Sequence, residues 1–153
     1  MRFVKSLILS MVWLFSGFAI AQTIVNNAIP ELSPSPPGAS VGFRELNDGD
    51  IVPKSLRVKF EVTGMKVRRP GKPQENSGHY HLLVDERSLP DLTQPLPNRE
   101  GIYHFDKAEK SAVINMPPGE HTLQLVFADY RHIPHDPPVM SEKITVIVEE
   151  DAD

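Results

Sequence analysis

Six histidines, His79, His81, His104, His121, His132 and His135, all fall in the second half of the chain. Neutral imidazole is the most common protein ligand for transition metals, so their spacing decides whether they amount to a site. In Gly78-His79-Tyr80-His81-Leu82-Leu83-Val84, an extended backbone sends Tyr80, Leu82 and Val84 to one face and His79, His81 and Leu83 to the other. With the first set turned to a core, two imidazoles project side by side, roughly 6.5 to 7 Å apart at the backbone, close enough to chelate one ion. A second cluster, Asp129-Tyr130-Arg131-His132-Ile133-Pro134-His135-Asp136-Pro137-Pro138, carries two imidazoles and two carboxylates on a loop stiffened by prolines.

A metal needs three or four neutral-nitrogen or carboxylate donors meeting at one point. His79 and His81 from a strand, with His132 and His135 from a loop, meet that need. Asp129 or His104 would stand in support, the latter within Ile102-Tyr103-His104-Phe105-Asp106. The set predicts a closed four-ligand site or an open three-ligand one, holding copper or zinc without catalysing a reaction.

Other uses of the same residues make different predictions. A His on an alternating strand is often part of a wet face, or is satisfied by backbone carbonyls. His121 shares parity with Leu123, Leu125 and Phe127, which places it on an inward face in a structural role. Met65, Met116 and Met140 could offer thioethers to Cu(I), but their apolar and turn-rich flanks read as core packing. In a metal-free interaction module, the His- and Pro-rich loops would face an envelope protein or a glycan, with Tyr80, Tyr103 and Tyr130 as contact anchors. A hydrolase or oxidase would use the same histidines with an open position and Asp129 or Asp136 as base.

Composition removes further classes. With no Cys, the chain forms no disulfide, thiolate metal site or cysteine nucleophile. No Gly-x-Ser-x-Gly elbow is present, and the dispersed glycines form no phosphate-cradling loop. Twenty acidic against 16 basic residues, a net charge of -4 without long like-charge blocks, do not attract nucleic acid.

The elements that position these residues follow from pattern. Residues 1–21 have Arg2 and Lys5, an apolar run from Leu7 to Ala19 and Ala19-Ile20-Ala21 at the end, the layout of a signal peptide cleaved after Ala21. The run is about 13 residues where a spanning helix needs roughly 20, so no permanent membrane anchor is expected. Loss of Arg2 and Lys5 takes the net charge from -4 to minus six. Export without cysteine points to a bacterial periplasm. Residues 22–39 read as a Pro-rich linker or arm, 40–149 as the folded domain, and 150–153 as an acidic tail. Leu56, Val58, Phe60 and Val62 alternate with Arg57, Lys59 and Glu61, a half-buried strand. Shorter signals occur at 41–46, 79–84, 102–105 and 112–116, and longer ones at 121–128 and 139–148. Turn clusters break every candidate helix between them. About seven short strands predict an all-β, immunoglobulin-like antiparallel β-sandwich, with a small barrel as the alternative.

The strings Gly78-His79-Tyr80-His81-Leu82-Leu83-Val84-Asp85, Tyr103-His104-Phe105, Pro117-Pro118-Gly119-Glu120-His121-Thr122-Leu123-Gln124-Leu125 and Asp129 to Val139 resemble the bacterial exported family catalogued as domain of unknown function four-three-nine-nine. The resemblance spans roughly Leu56 to Val148. It implies an exported domain and makes the six histidines parts of one pattern, but implies no activity.

Overall fold

The computed structural model describes residues 31–150. The expected leader, its cleavage point and the first part of the arm lie outside the described residues. Ten strands follow in chain order: β1 (Ser40–Arg44), β2 (Ile51–Val52), β3 (Ser55–Thr63), β4 (Lys66–Val67), β5 (Ser77–Val84), β6 (Ile102–His104), β7 (Ser111–Asn115), β8 (Gly119–Ala128), β9 (Pro134–Met140) and β10 (Ile144–Val148). They form a smaller sheet in the order β1-β3-β7 and a larger one in the order β2-β10-β8-β5-β4, with β6 added to β5 and β9 to β8. The chain is an all-β sandwich, as its pattern predicts, and no helix occurs among the described residues.

The alternation on β3 does what alternation should. Leu56, Val58 and Phe60 are buried while Arg57, Lys59 and Glu61 are exposed. These side chains meet Tyr80, Leu82, Leu123, Leu125, Phe127 and Val146 from the larger sheet to form the main core. Phe60 packs on Tyr80 with ring centroids 5.0 Å apart, and Tyr80 on Phe127 at 5.2 Å.

The larger sheet departs from one-sided burial. Seven of the eight residues of β5 are buried, on both faces. The face away from the main core carries Leu83, Ile102, Val126 and Ala128, which form a second apolar cluster with Leu96 from the loop before β6. Loop 86–101 is held over this face by Arg99, whose guanidinium donates to both carboxylate oxygens of Glu86 at 2.6 and 2.7 Å. The histidines of β5 stand beside this second cluster, not in water.

Three expectations are corrected here. The run expected as one strand over 139–148 is two strands, because Ser141–Lys143 turn the chain from β9 into β10. Ser141 closes that turn by donating its N–H to the Leu125 carbonyl at 3.0 Å and accepting the Leu125 N–H on its hydroxyl at 2.9 Å. The Pro-rich segment expected as a loop over 129–138 becomes strand from Pro134 onward, at the sheet edge, where a strand tolerates missing N–H donors. Two-residue strands β2 and β4, too short for periodicity to register, complete the larger sheet through parallel pairing with β10 and β5.

Gly78 lets β5 and β8 approach beside the histidine pair. A Cβ there would sit 2.2 Å from the Ala128 carbonyl oxygen and 2.9 Å from Phe127 Cε1. Backbone oxygen in a paired strand has nowhere to go, so Gly78→Ala is expected to cost about 3 kcal/mol, the upper end for overpacking. Chemical denaturation of the variant checks this, and an unchanged midpoint would contradict the close approach.

Candidate metal centre

Register builds the site. His79 and His81 are two residues apart on β5 and share a face. His104 on β6 lies opposite His81 across the antiparallel pair, and Asp106 follows two residues later, in the turn that leaves β6. On the other flank, His79 pairs with Ala128 and His81 with Val126, so small and medium side chains leave room for the two rings. The fourth imidazole, His132, descends from the turn after β8 with φ 64°, a left-handed conformation that a non-glycine residue holds only when its surroundings enforce it.

His132 Nδ1 is the hub. It lies 2.9 Å from His79 Nε2, 3.2 Å from His81 Nε2 and 3.3 Å from His104 Nδ1. A ring nitrogen has one in-plane proton or one lone pair, so it makes one good hydrogen bond and not three. Zinc–nitrogen bonds of about 2.0–2.1 Å in tetrahedral geometry place ligand nitrogens roughly 3.3 Å apart, close to the spacing found here. Asp106 adds a carboxylate oxygen 3.6 Å from His79 Nε2 and 3.8 Å from His132 Nδ1. Donor atoms thus group as His79, His81 and His132, and as His104, Asp106 and His132.

The protonation states suit cation binding. His104 Nε2–H donates to the Pro97 carbonyl at 3.1 Å, which leaves its Nδ1 lone pair facing the hub. Burial, reinforced by the neighbouring imidazoles, pushes the His79 pKa down to about 4 and that of His81 to about 2. Burial also lowers His132. Three rings kept neutral at pH 7, those of His79, His81 and His132, present lone pairs, not protons. His79 Nδ1 and His81 Nδ1 are buried with no hydrogen-bond partner among the described residues. Packing alone would lose roughly 1–3 kcal/mol at each such atom, a cost characteristic of sites kept for a purpose other than stability. The mouth is formed by Asp106, about half exposed, and by the outer edge of His132.

Not every expected ligand reaches the cluster. His135 is buried elsewhere, its ring nitrogens each 3.2 Å from a backbone carbonyl, those of Phe127 and Ser77. The strand that begins at Pro134 carries it away from the loop. Asp129 is buried beneath the turn that presents His132. Its Oδ1 accepts the N–H groups of Arg131 at 2.8 Å and Ile133 at 3.1 Å. Its Oδ2 accepts the Ser33 hydroxyl at 2.6 Å and the Arg131 guanidinium at 2.9 and 3.1 Å. Burial alone would raise its pKa, but these donors hold it below the ordinary value. Both residues are therefore structural. Asp106, absent from the expected set, is the carboxylate at the cluster, and its place two residues after His104 is the sequence signal that marks it.

The remaining candidates also find places. Tyr80 is in the main core and cannot anchor a partner. Tyr103 is partly exposed, and Tyr130 lies beneath the Arg131 guanidinium, 5.2 Å from its ring centre. His121 donates to Asp85 Oδ2 at 2.7 Å and to the Pro117 carbonyl at 2.9 Å, pinning a sheet end as its parity suggested. Burial opposes its charge, but these acceptors outweigh it and raise its pKa. Met65 and Met116 belong to the main core and Met140 packs on the second cluster, so no thioether is among the converging donors.

A pH dependence follows for the metal-free protein. A folded-state pKa depressed below the unfolded value contributes stability that is present above the unfolded pKa and lost as pH falls. For His79 that loss runs from pH 6.5 down to about 4, and for His81 further, to about 2. His121 has the opposite sign, but it is one group against three lowered ones. The urea midpoint is expected to drop steadily below pH 6.5. A flat profile down to pH 5 would show that the rings are not held neutral.

No curated protein and no solved structure matches the chain significantly. A family model does, over residues 58–149, a span holding all four converging histidines and Asp106. The chain belongs to the family described as Domain of unknown function (DUF4399).

Proposed function

We propose that this protein binds one transition-metal ion, copper or zinc, through His79, His81 and His132, with His104 and Asp106 completing the shell from the open side. The observation that carries the reading is the approach of three other ring nitrogens to the single Nδ1 of His132 within 3.3 Å. One cation satisfies all of these lone pairs, and no arrangement of protons on neutral rings does. The donors are imidazole with one carboxylate, a set suited to Zn(II) and Cu(II), and they include no soft sulfur for Cu(I). Residues 1–21 support a periplasmic setting, where the domain would hold or pass on metal. Asp129, one of the two bases considered for a hydrolase, is committed to its own turn, and the burial of Tyr80 weakens the metal-free contact surface.

Titration calorimetry of the mature protein with Zn(II) and Cu(II) is expected to give near 1:1 binding. His79→Ala with His81→Ala should abolish it while the far-ultraviolet dichroism of the sandwich is kept, and His104→Ala should weaken it. His135→Phe should leave the stoichiometry unchanged. Absence of binding in the parent protein, or retained affinity in the double variant, would overturn the assignment.

A further inference from the structure

We infer that the segment 31–36 is a latch that tunes this metal site, with Ser33 as a positioning residue acting on His132 through Asp129; this rests on the metal-binding reading above. The sequence marks residues 22–39 as a linker, yet the part within the described residues is docked. Pro34 bridges in parallel to Asp136. The Asp136 N–H donates to the Ser33 carbonyl at 3.0 Å, and the Ser35 N–H to the Asp136 carbonyl at 3.2 Å. The Ser35 hydroxyl donates to the Pro137 carbonyl at 2.7 Å, and Arg131 Nη2 to the Glu31 carbonyl at 2.9 Å. The arm therefore grips the chain on both sides of His132, at Arg131 and at Asp136–Pro137.

Ser33 is the contact with chemical consequence. Asp129, 2% exposed, organises the turn from Asp129 to Ile133 by accepting two of its backbone N–H groups. The turn is closed by mutual backbone bonds, Asp129 N–H to the Ile133 carbonyl at 2.8 Å and His132 N–H to the Asp129 carbonyl at 3.0 Å. Among the described residues, all donors to the carboxylate except Ser33 come from within this turn. The Ser33 hydroxyl, at 2.6 Å and 96 residues away in sequence, is the outside tie that fixes the carboxylate against the body of the protein. His132 sits in that turn at φ 64° and shares its Nδ1 with both donor groups. A small rotation of the turn swings the hub out of line while His79, His81 and His104 stay on their strands. Outer residues that orient ligands in this manner commonly alter metal affinity by roughly 10- to 100-fold.

The test compares the mature parent protein with Ser33→Ala, Ser33→Thr and Ser35→Ala, using Co(II) as spectroscopic probe and Zn(II) competition for affinity. Ser33→Ala is expected to keep one ion per chain but bind it at least roughly 10-fold more weakly, with a changed Co(II) visible spectrum at saturation. Ser33→Thr keeps the hydroxyl and should restore both. Ser35→Ala loosens the arm without touching Asp129 and should leave the spectrum as in the parent. Should Ser33→Ala fail to fold, Arg131→Lys, which loses the fork onto Asp129 and Glu31, carries the same expectation. A parent that binds neither ion overturns the metal site itself. A parent that binds, with Ser33→Ala matching it in affinity and spectrum, overturns the latch alone. Equal effects of Ser33→Ala and Ser35→Ala overturn the route through Asp129.

Discussion

The organising constraint of this molecule is the burial of neutral imidazoles on the outer face of a sheet. Placing His79 and His81 there requires β5 to be covered on both sides, and hence a second apolar cluster in addition to the sandwich core. That cover consists of loop 86–101 and the turn at 129–133, joined where the Leu96 N–H donates to the His132 carbonyl at 2.9 Å. Their closure excludes water from the rings, and exclusion of water keeps the rings neutral. The close approach of β5 to β8 at Gly78, the pairing of His81 with His104 and the left-handed backbone of His132 all serve the same geometry.

The six histidines divide by what faces their ring nitrogens. His121 faces a carboxylate and a carbonyl, and His135 faces two carbonyls, so both are used up in holding the fold. His79, His81, His104 and His132 face one another. An acceptor oxygen satisfies a ring N–H and ends its availability, whereas nitrogens turned on nitrogens leave lone pairs in excess. The two nearby carboxylates divide in the same way. Asp129 is saturated by donors and shapes a turn, while Asp106 stands half exposed at the mouth with its oxygen toward the rings.

Part of this site was legible in the chain because strands have a period of two. The spacing of His79 and His81 placed them side by side, whereas Asp106 comes from the turn after β6, where strand parity no longer applies. His132 and His135 look equivalent in sequence, three residues apart in a Pro-rich stretch. They differ because the bonds of Asp129 close a turn around the first, while strand pairing with β8 claims the segment that holds the second. Nothing local separates them. The Pro-rich arm read as a linker for a similar reason: its partners, Asp129, Asp136 and Pro137, lie about a hundred residues downstream.

Alternation and turn chemistry in the sequence alone determined an all-β sandwich, the main inward faces and the candidate histidine pair, since these depend on neighbours within a few residues. Tertiary structure decided which imidazoles meet, which carboxylate joins them and which is spent on a turn. Those outcomes depend on register between distant strands and on hydrogen bonds that span most of the chain, and a single buried nitrogen becomes a ligand or a strut according to the atom that arrives opposite it.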